Sequence, residues 1–104
     1  IITDVKENPA IPTEFKLEQN YPNPFNPETT ISYTIPSNVK GETINVTLKV
    51  YDVLGREITT LVSEYLKAGS YVKTLHATSL PSGVYFYRLQ AGSFIQTKKM
   101  LLVK

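Results

Sequence analysis

At 104 residues, 41% hydrophobic and 19% charged, the chain has the size and composition of one soluble globular domain with a single core. It has no cysteine, which excludes disulfides, thiol chemistry and a zinc ribbon or finger. Its net charge of +2 is too small to argue for a polyanionic partner, and no apolar run resembles a membrane span or a signal peptide.

The charge is unevenly spread. All nine acidic residues lie at or before Glu64, whereas Lys67, Lys73, Arg88, Lys98, Lys99 and Lys104 follow with no carboxylate side chain among them. Either neighbouring strands interleave the two signs and the folded surface is mixed, or the basic part forms an edge for an anionic partner.

In chain order, Ile1 to Glu14 (IITDVKENPAIPTE) holds two prolines, several charges and no sustained periodicity, so it reads as an extended linker. It opens without an initiating Met, as a piece cut from something longer would. Residues 1–14 are therefore assigned as linker and 15–104 as the domain. Phe15 to Gln19 alternates as a short half-buried strand. In the loop Asn20-Tyr21-Pro22-Asn23-Pro24-Phe25-Asn26-Pro27-Glu28, the prolines rule out a helix or a central strand. Each proline also restricts the residue before it, so the loop is stiff. Tyr21 and Phe25 are expected to fold back and plug one end of the core.

Thr29 to Ile35 is β-branched, with Ile31, Tyr33 and Ile35 on one face, and Pro36 ends it. Ile44 to Tyr51 alternates cleanly, Ile44, Val46, Leu48 and Val50 pointing one way. Asp52-Val53-Leu54-Gly55 fits a type I turn, with Gly55 at positive φ, before a returning strand from Arg56 to Val62. After a connection over Glu64–Ala68, Gly69 starts the next strand, Ser70 to His76. Leu80-Pro81-Ser82-Gly83 repeats the turn logic, proline second and glycine fourth. The end is a hairpin joined at Ala91–Gly92. Its first strand sets Val84, Phe86 and Arg88 against Tyr85, Tyr87 and Leu89; its second ends in Lys98-Lys99, the apolar run Met100-Leu101-Leu102-Val103, and Lys104. Seven short strands with turn signals between them and no useful helical stretch predict an all-β, seven-stranded antiparallel Ig-like sandwich with Greek-key connections.

The sequence offers little chemistry. Only His76 could serve as a triad base, and it lacks a nucleophile-elbow pattern. Glu18, Glu28, Glu42, Glu57 and Glu64 read as solvated positions rather than a glycosidase pair. Asp4 and Asp52 do not make a calcium loop, and the five glycines make no phosphate motif. Tyr85-Phe86-Tyr87-Arg88 could stack bases or sugars from a sheet face, although core packing accounts for most of the tyrosines. No catalytic residue, cofactor, metal, nucleic acid or membrane insertion is therefore expected. A carbohydrate-binding or adhesive module of a secreted glycanase is the alternative.

Five motifs stand in one order: Tyr21-Pro22-Asn23-Pro24-Phe25-Asn26-Pro27, Val50-Tyr51-Asp52-Val53-Leu54-Gly55-Arg56, Ala68-Gly69-Ser70-Tyr71, Leu80-Pro81-Ser82-Gly83-Val84-Tyr85-Phe86-Tyr87-Arg88-Leu89, and Lys98-Lys99-Met100. Together they resemble the C-terminal sorting domain of type IX (Por) secretion, type A, which is similar to the Ig-like domain of flagellar hook-capping proteins. The resemblance covers Phe15 to Lys104. It implies a module behind an N-terminal cargo, read by an outer-membrane translocon of a Gram-negative bacterium. It further implies removal by a sortase-like protease within Ile1–Glu14 and delivery of the cargo to the medium or the cell surface. The implied export signal is Lys98, Lys99, Met100, Leu101, Leu102, Val103 and Lys104. The residues Tyr21 to Pro27, Asp52, Gly55, Gly69, Tyr71, Pro81, Gly83 and Tyr85 are implied to be structural. The terminal strand would then offer backbone and side-chain handles for strand addition or edge docking.

Overall fold

The computed structural model describes residues 13–37 and 43–104, so most of the expected linker lies outside the described residues. Seven strands follow in order: β1 (Lys16–Leu17), β2 (Glu28–Ile35), β3 (Ile44–Tyr51), β4 (Glu57–Leu66), β5 (Gly69–His76), β6 (Gly83–Ala91) and β7 (Phe94–Leu102). They form a three-stranded sheet, β1-β2-β5, and a four-stranded sheet, β4-β3-β6-β7, with every strand pair antiparallel. The β1–β2, β3–β4 and β6–β7 connections stay within one sheet, and β2–β3, β4–β5 and β5–β6 cross between sheets. This is the expected all-β sandwich.

Alternation builds the core. Thr29, Ile31, Tyr33 and Ile35 from β2 are buried opposite Val46, Leu48 and Val50 from β3, with Tyr85, Tyr87, Leu89 and Ala91 from β6 and Met100 and Leu102 from β7. A period of two delivers those residues to one side of each strand. The faces read from the sequence for β2, β3 and β6 are the ones observed.

Three boundaries differ. The first strand pairs over only Lys16–Leu17, because beyond it Gln19 and Asn20 turn toward β6 and β7. β4 runs to Leu66, past the expected end at Val62; a register shift at Leu48/Lys49 lets it stay paired to β3 as far as Ile44. The hydrogen-bonded turn before β6 is Ala77–Leu80, closed by the Leu80 N–H on the Ala77 carbonyl at 3.1 Å, three residues earlier than the proline-glycine signal. The terminal hairpin turns through Gly92-Ser93, with Gly92 at φ 61° and Ala91 paired to Phe94. Glycine first and positive φ there fit the type II′ connection.

The edges are defended. Glu64 on β4 is in register with buried Val46, Lys73 on β5 with buried Ile31, and Lys98 on β7 with buried Tyr87. These three edge strands thus carry a charge on the inward side, which makes pairing with a foreign strand costly.

A buried phenol bridges the two sheets. Tyr87, fully buried on β6, donates its hydroxyl proton to the Glu18 carbonyl at 2.7 Å and accepts the Asn20 N–H at 2.8 Å. Buried Asn20 in turn donates through Nδ2 to Thr29 Oγ1 and the Pro22 carbonyl, and accepts from Gln19 Nε2. Burial pushes the Tyr87 hydroxyl up to about 12 from its ordinary 10.0. The folded state therefore keeps a proton that the unfolded chain releases. Its stabilising contribution is complete below pH 10.0 and is lost as pH rises toward about 12. Tyr87→Phe should cost about 1–3 kcal/mol by stranding the Asn20 N–H and Glu18 carbonyl. It should also flatten the alkaline loss of stability, as measured by urea unfolding across that pH window.

Candidate functional site

The terminal strand is ordered to Leu102, and its residues divide by parity. Met100 and Leu102 are buried, and Lys98 shares their side, half-buried; Lys99, Leu101 and Val103 face solvent. The lysine pair is therefore split between the two faces. Lys104 is anchored, its N–H to Ser82 Oγ at 2.9 Å and its Nζ to the Thr78 carbonyl at 2.6 Å.

The outer edge of this strand is occupied. Phe25 forms a parallel bridge with Leu102, donating its N–H to the Leu101 carbonyl and accepting from the Val103 N–H, both at 3.0 Å. Asn23 Oδ1 accepts the Leu101 N–H at 3.0 Å, and Gln19 Nε2 donates to the Lys99 carbonyl at 2.8 Å. The loop from Gln19 to Phe25 is thus a strap across β7 from Lys99 to Val103. The expected strand addition along that stretch is corrected by this contact, because the backbone groups it would use are already bonded.

The proline loop does this through part of its motif. Phe25 is 2% exposed and plugs the core as expected, whereas Tyr21 is 81% exposed and does not. Its neighbour Asn20 points inward and the Tyr21 backbone pairs with Thr30, so an extended chain sends the Tyr21 ring outward. Pro22 offers its carbonyl to Asn20 and Thr29, Pro27 offers its own to the Ala77 N–H, and the bonds before Pro22, Pro24 and Pro27 are cis. Asn26 lies between Phe25 and Pro27 as an exposed link.

The remaining motif residues shape turns. Asp52 Oδ1 accepts the Leu54 and Arg56 N–H groups at 2.9 and 3.0 Å, Oδ2 accepts Arg56 Nε at 2.7 Å, and Gly55, at φ 82°, closes the turn onto the Asp52 carbonyl at 3.0 Å. The Arg56 backbone bond, first among these, holds the Asp52 carboxyl below its usual range. Tyr85 donates its hydroxyl to the Pro81 carbonyl at 2.6 Å, a tyrosine corner. Tyr71 does the same to the Lys67 carbonyl at 2.6 Å. In both cases the acceptor lies four residues back and a glycine, Gly69 or Gly83, lies two back. The recurrence of Gly-x-Tyr is a sequence signal for the paired corners. The phenol–Asn20 knot had no such signal, since Asn20 looked like an ordinary loop residue.

The surface holds little machinery for chemistry. His76 Nδ1 lies 2.7 Å from Glu28 Oε2, an exposed cross-strand pair set by the Glu28–His76 register. Ser79 lines the same open 450 Å³ cleft, between β4 and β5, without a hydrogen bond to the imidazole among the described residues. Among the described residues no group of three or more His, Asp or Glu could hold a metal ion. Exposed Tyr21 lies beside β2 and Tyr65 on β4, on different sheets, so the two cannot form one sugar platform.

The ion pairs are few and exposed. Among the described residues Lys16–Glu18, Lys49–Glu57, Arg56–Asp52 and His76–Glu28 form ion pairs, and none of these draws on Lys67, Lys73, Arg88, Lys98, Lys99 or Lys104.

Residues 19–104 match the family model for the secretion system C-terminal sorting domain. The chain belongs to this type IX (Por) family. Searches of curated proteins and of solved structures returned no match. The sorting-domain match opens at Gln19, the first residue of the strap, and closes at Lys104, so it spans both partners of the strap–β7 contact. Membership makes this a sorting-signal domain of a secreted or cell-surface protein, in a family that is not one of enzymes.

Phe25 is the strap's anchor. Phe25→Ala should destabilise the domain by about 3–5 kcal/mol. It should also raise amide exchange at Leu101 and Val103 beyond the rise at Ile31, read by hydrogen–deuterium exchange. Uniform change across both sheets would show that the strap does not hold β7 in particular.

Proposed function

We propose that the chain is a non-enzymatic sorting module that directs an attached N-terminal cargo through the type IX outer-membrane translocon. Residues 15–104 are the domain, Lys98 to Lys104 carry the signal, and residues 1–14 are the linker in which a sortase-like protease separates cargo from domain before surface anchoring. One observation supports the placement of the signal best. β7 is locked into the core by Met100 and Leu102 while it turns Lys99, Leu101 and Val103 to solvent. Such a strand presents a fixed row of side chains on a rigid element, which is what a receptor can read without ordering the ligand first.

Within that row the two lysines have different work. Lys98, on the inward side of an edge strand, protects the edge. Lys99 is free to be read. The test is a reporter fused ahead of residues 1–104 in a type IX-competent host. Lys99→Glu should leave the thermal midpoint of the purified domain nearly unchanged and lower surface display by about tenfold, the factor that 1.4 kcal/mol corresponds to. Full display by Lys99→Glu, together with full display by the Met100–Lys104 deletion, would remove the signal from β7.

A further inference from the structure

The strap has a consequence for how the domain is read. With the β7 edge from Lys99 to Val103 bonded to Gln19, Asn23 and Phe25, recognition there falls to side chains on the outward face of the four-stranded sheet. Register places Tyr51 of β3 beside Phe86 of β6, and Phe86 beside Lys99 of β7. One step along, Arg88 lies beside Thr97, and its guanidinium sits 4.6 Å from the centre of the Tyr51 ring. On the other side Val84 lies beside Leu101, which is 39% exposed.

This face has both relief and charge. A 200 Å³ hollow is lined by Tyr51, Val53, Phe86, Arg88 and Thr97 together with Asp52 and Gly55 of the turn. It is about the size of one apolar or aromatic side chain. The Asp52 carboxylate is already engaged by Arg56 and the Leu54 N–H, and Glu57 on the neighbouring strand by Lys49 and Thr60. Arg88 and Lys99 make no ion pair among the described residues, and no carboxylate side chain follows Glu64 in the sequence. The face therefore has two unneutralised cations set around an aromatic hollow.

We propose that this face docks an acidic peptide segment of the secretion machinery. Carboxylates of the segment lie against Arg88 and Lys99, and one apolar side chain enters the hollow over Tyr51 and Phe86. The inference rests on the sorting reading and extends the signal from the terminal strand to β3 and β6. Positive potential would steer the encounter, and the aromatic hollow would supply the anchor. Arginine held over a ring keeps its outer N–H fork available for a carboxylate.

The experiment uses the reporter fusion with five forms of residues 1–104: unaltered, absent, Arg88→Glu/Lys99→Glu, Phe86→Ser, and the opposite-sheet control Thr74→Glu. Each folded form is checked by its thermal midpoint, with Arg88→Lys/Lys99→Arg as the charge-preserving companion. The proposal expects export lost without the domain, reduced about a hundredfold by Arg88→Glu/Lys99→Glu against the tenfold of Lys99→Glu alone, reduced about tenfold by Phe86→Ser, and retained by the control and the charge-preserving form. Normal export by Arg88→Glu/Lys99→Glu, with export still lost without the domain, overturns this face and leaves the sorting reading standing. Export without the domain overturns the sorting reading itself. A photo-crosslinker at Thr97 should yield a protein adduct on a segment rich in Asp and Glu, and an adduct on a basic segment overturns the proposal. Co-sedimentation with phosphatidylglycerol vesicles, abolished by the same charge reversal, would assign the face to anionic lipid and equally overturn it.

Discussion

A buried phenol oxygen is the point where the two halves of this sandwich meet inside the core. Tyr87 belongs to the four-stranded sheet, yet both of its hydrogen bonds go to the segment that leaves β1 of the other sheet. Apolar contact between sheets is non-directional and tolerates sliding, whereas a buried hydroxyl with a donor and an acceptor fixed in place does not. From that point the chain is committed. Asn20 and Thr29 are satisfied around the Pro22 carbonyl, and Gln19 reaches the Lys99 carbonyl. The strap is brought to β7 as a result.

That arrangement makes the terminal strand both part of the core and partly exposed. Burial of Met100 and Leu102 fixes the strand, and parity then sends Lys99, Leu101 and Val103 outward. The strap bonds the backbone of this stretch, which leaves its outward side chains as the exposed groups. Inward charges at Glu64, Lys73 and Lys98 discourage unwanted pairing at the other edges.

Much of this was legible in the sequence, and the rest was hidden for physical reasons. Alternation alone placed Ile44–Tyr51 and the faces of β2 and β6, since a strand buried on one side cannot slip by one residue. The Asp52–Gly55 turn was legible because its chemistry is local. The length of β4 was not, because it depends on an irregular pairing with β3 that hydropathy does not record. Proline and glycine at Pro81 and Gly83 drew the turn signal away from Ala77–Leu80, where a backbone bond closes it. Tyr21 and Phe25 looked equivalent as aromatic residues in one loop, and only the bridge of Tyr21 to Thr30 separates their fates. For the candidate site, the terminal run was visible as sequence, but the splitting of Lys98 from Lys99 required knowing which side of β7 is inward.

The strap joins residues far apart in the chain: Asn23 with Leu101 at a separation of 78, and Gln19 with Lys99 at 80. Contacts of such span are the slow ones to form, because a long loop must close before they repay it. The final strand is therefore set in place only once both ends of the domain have been synthesised and have met. A chain cut before Val103 lacks at least the bond from the Val103 N–H to the Phe25 carbonyl. In that sense the outer edge of the last strand is closed by the segment that follows the first, and neither is complete without the other.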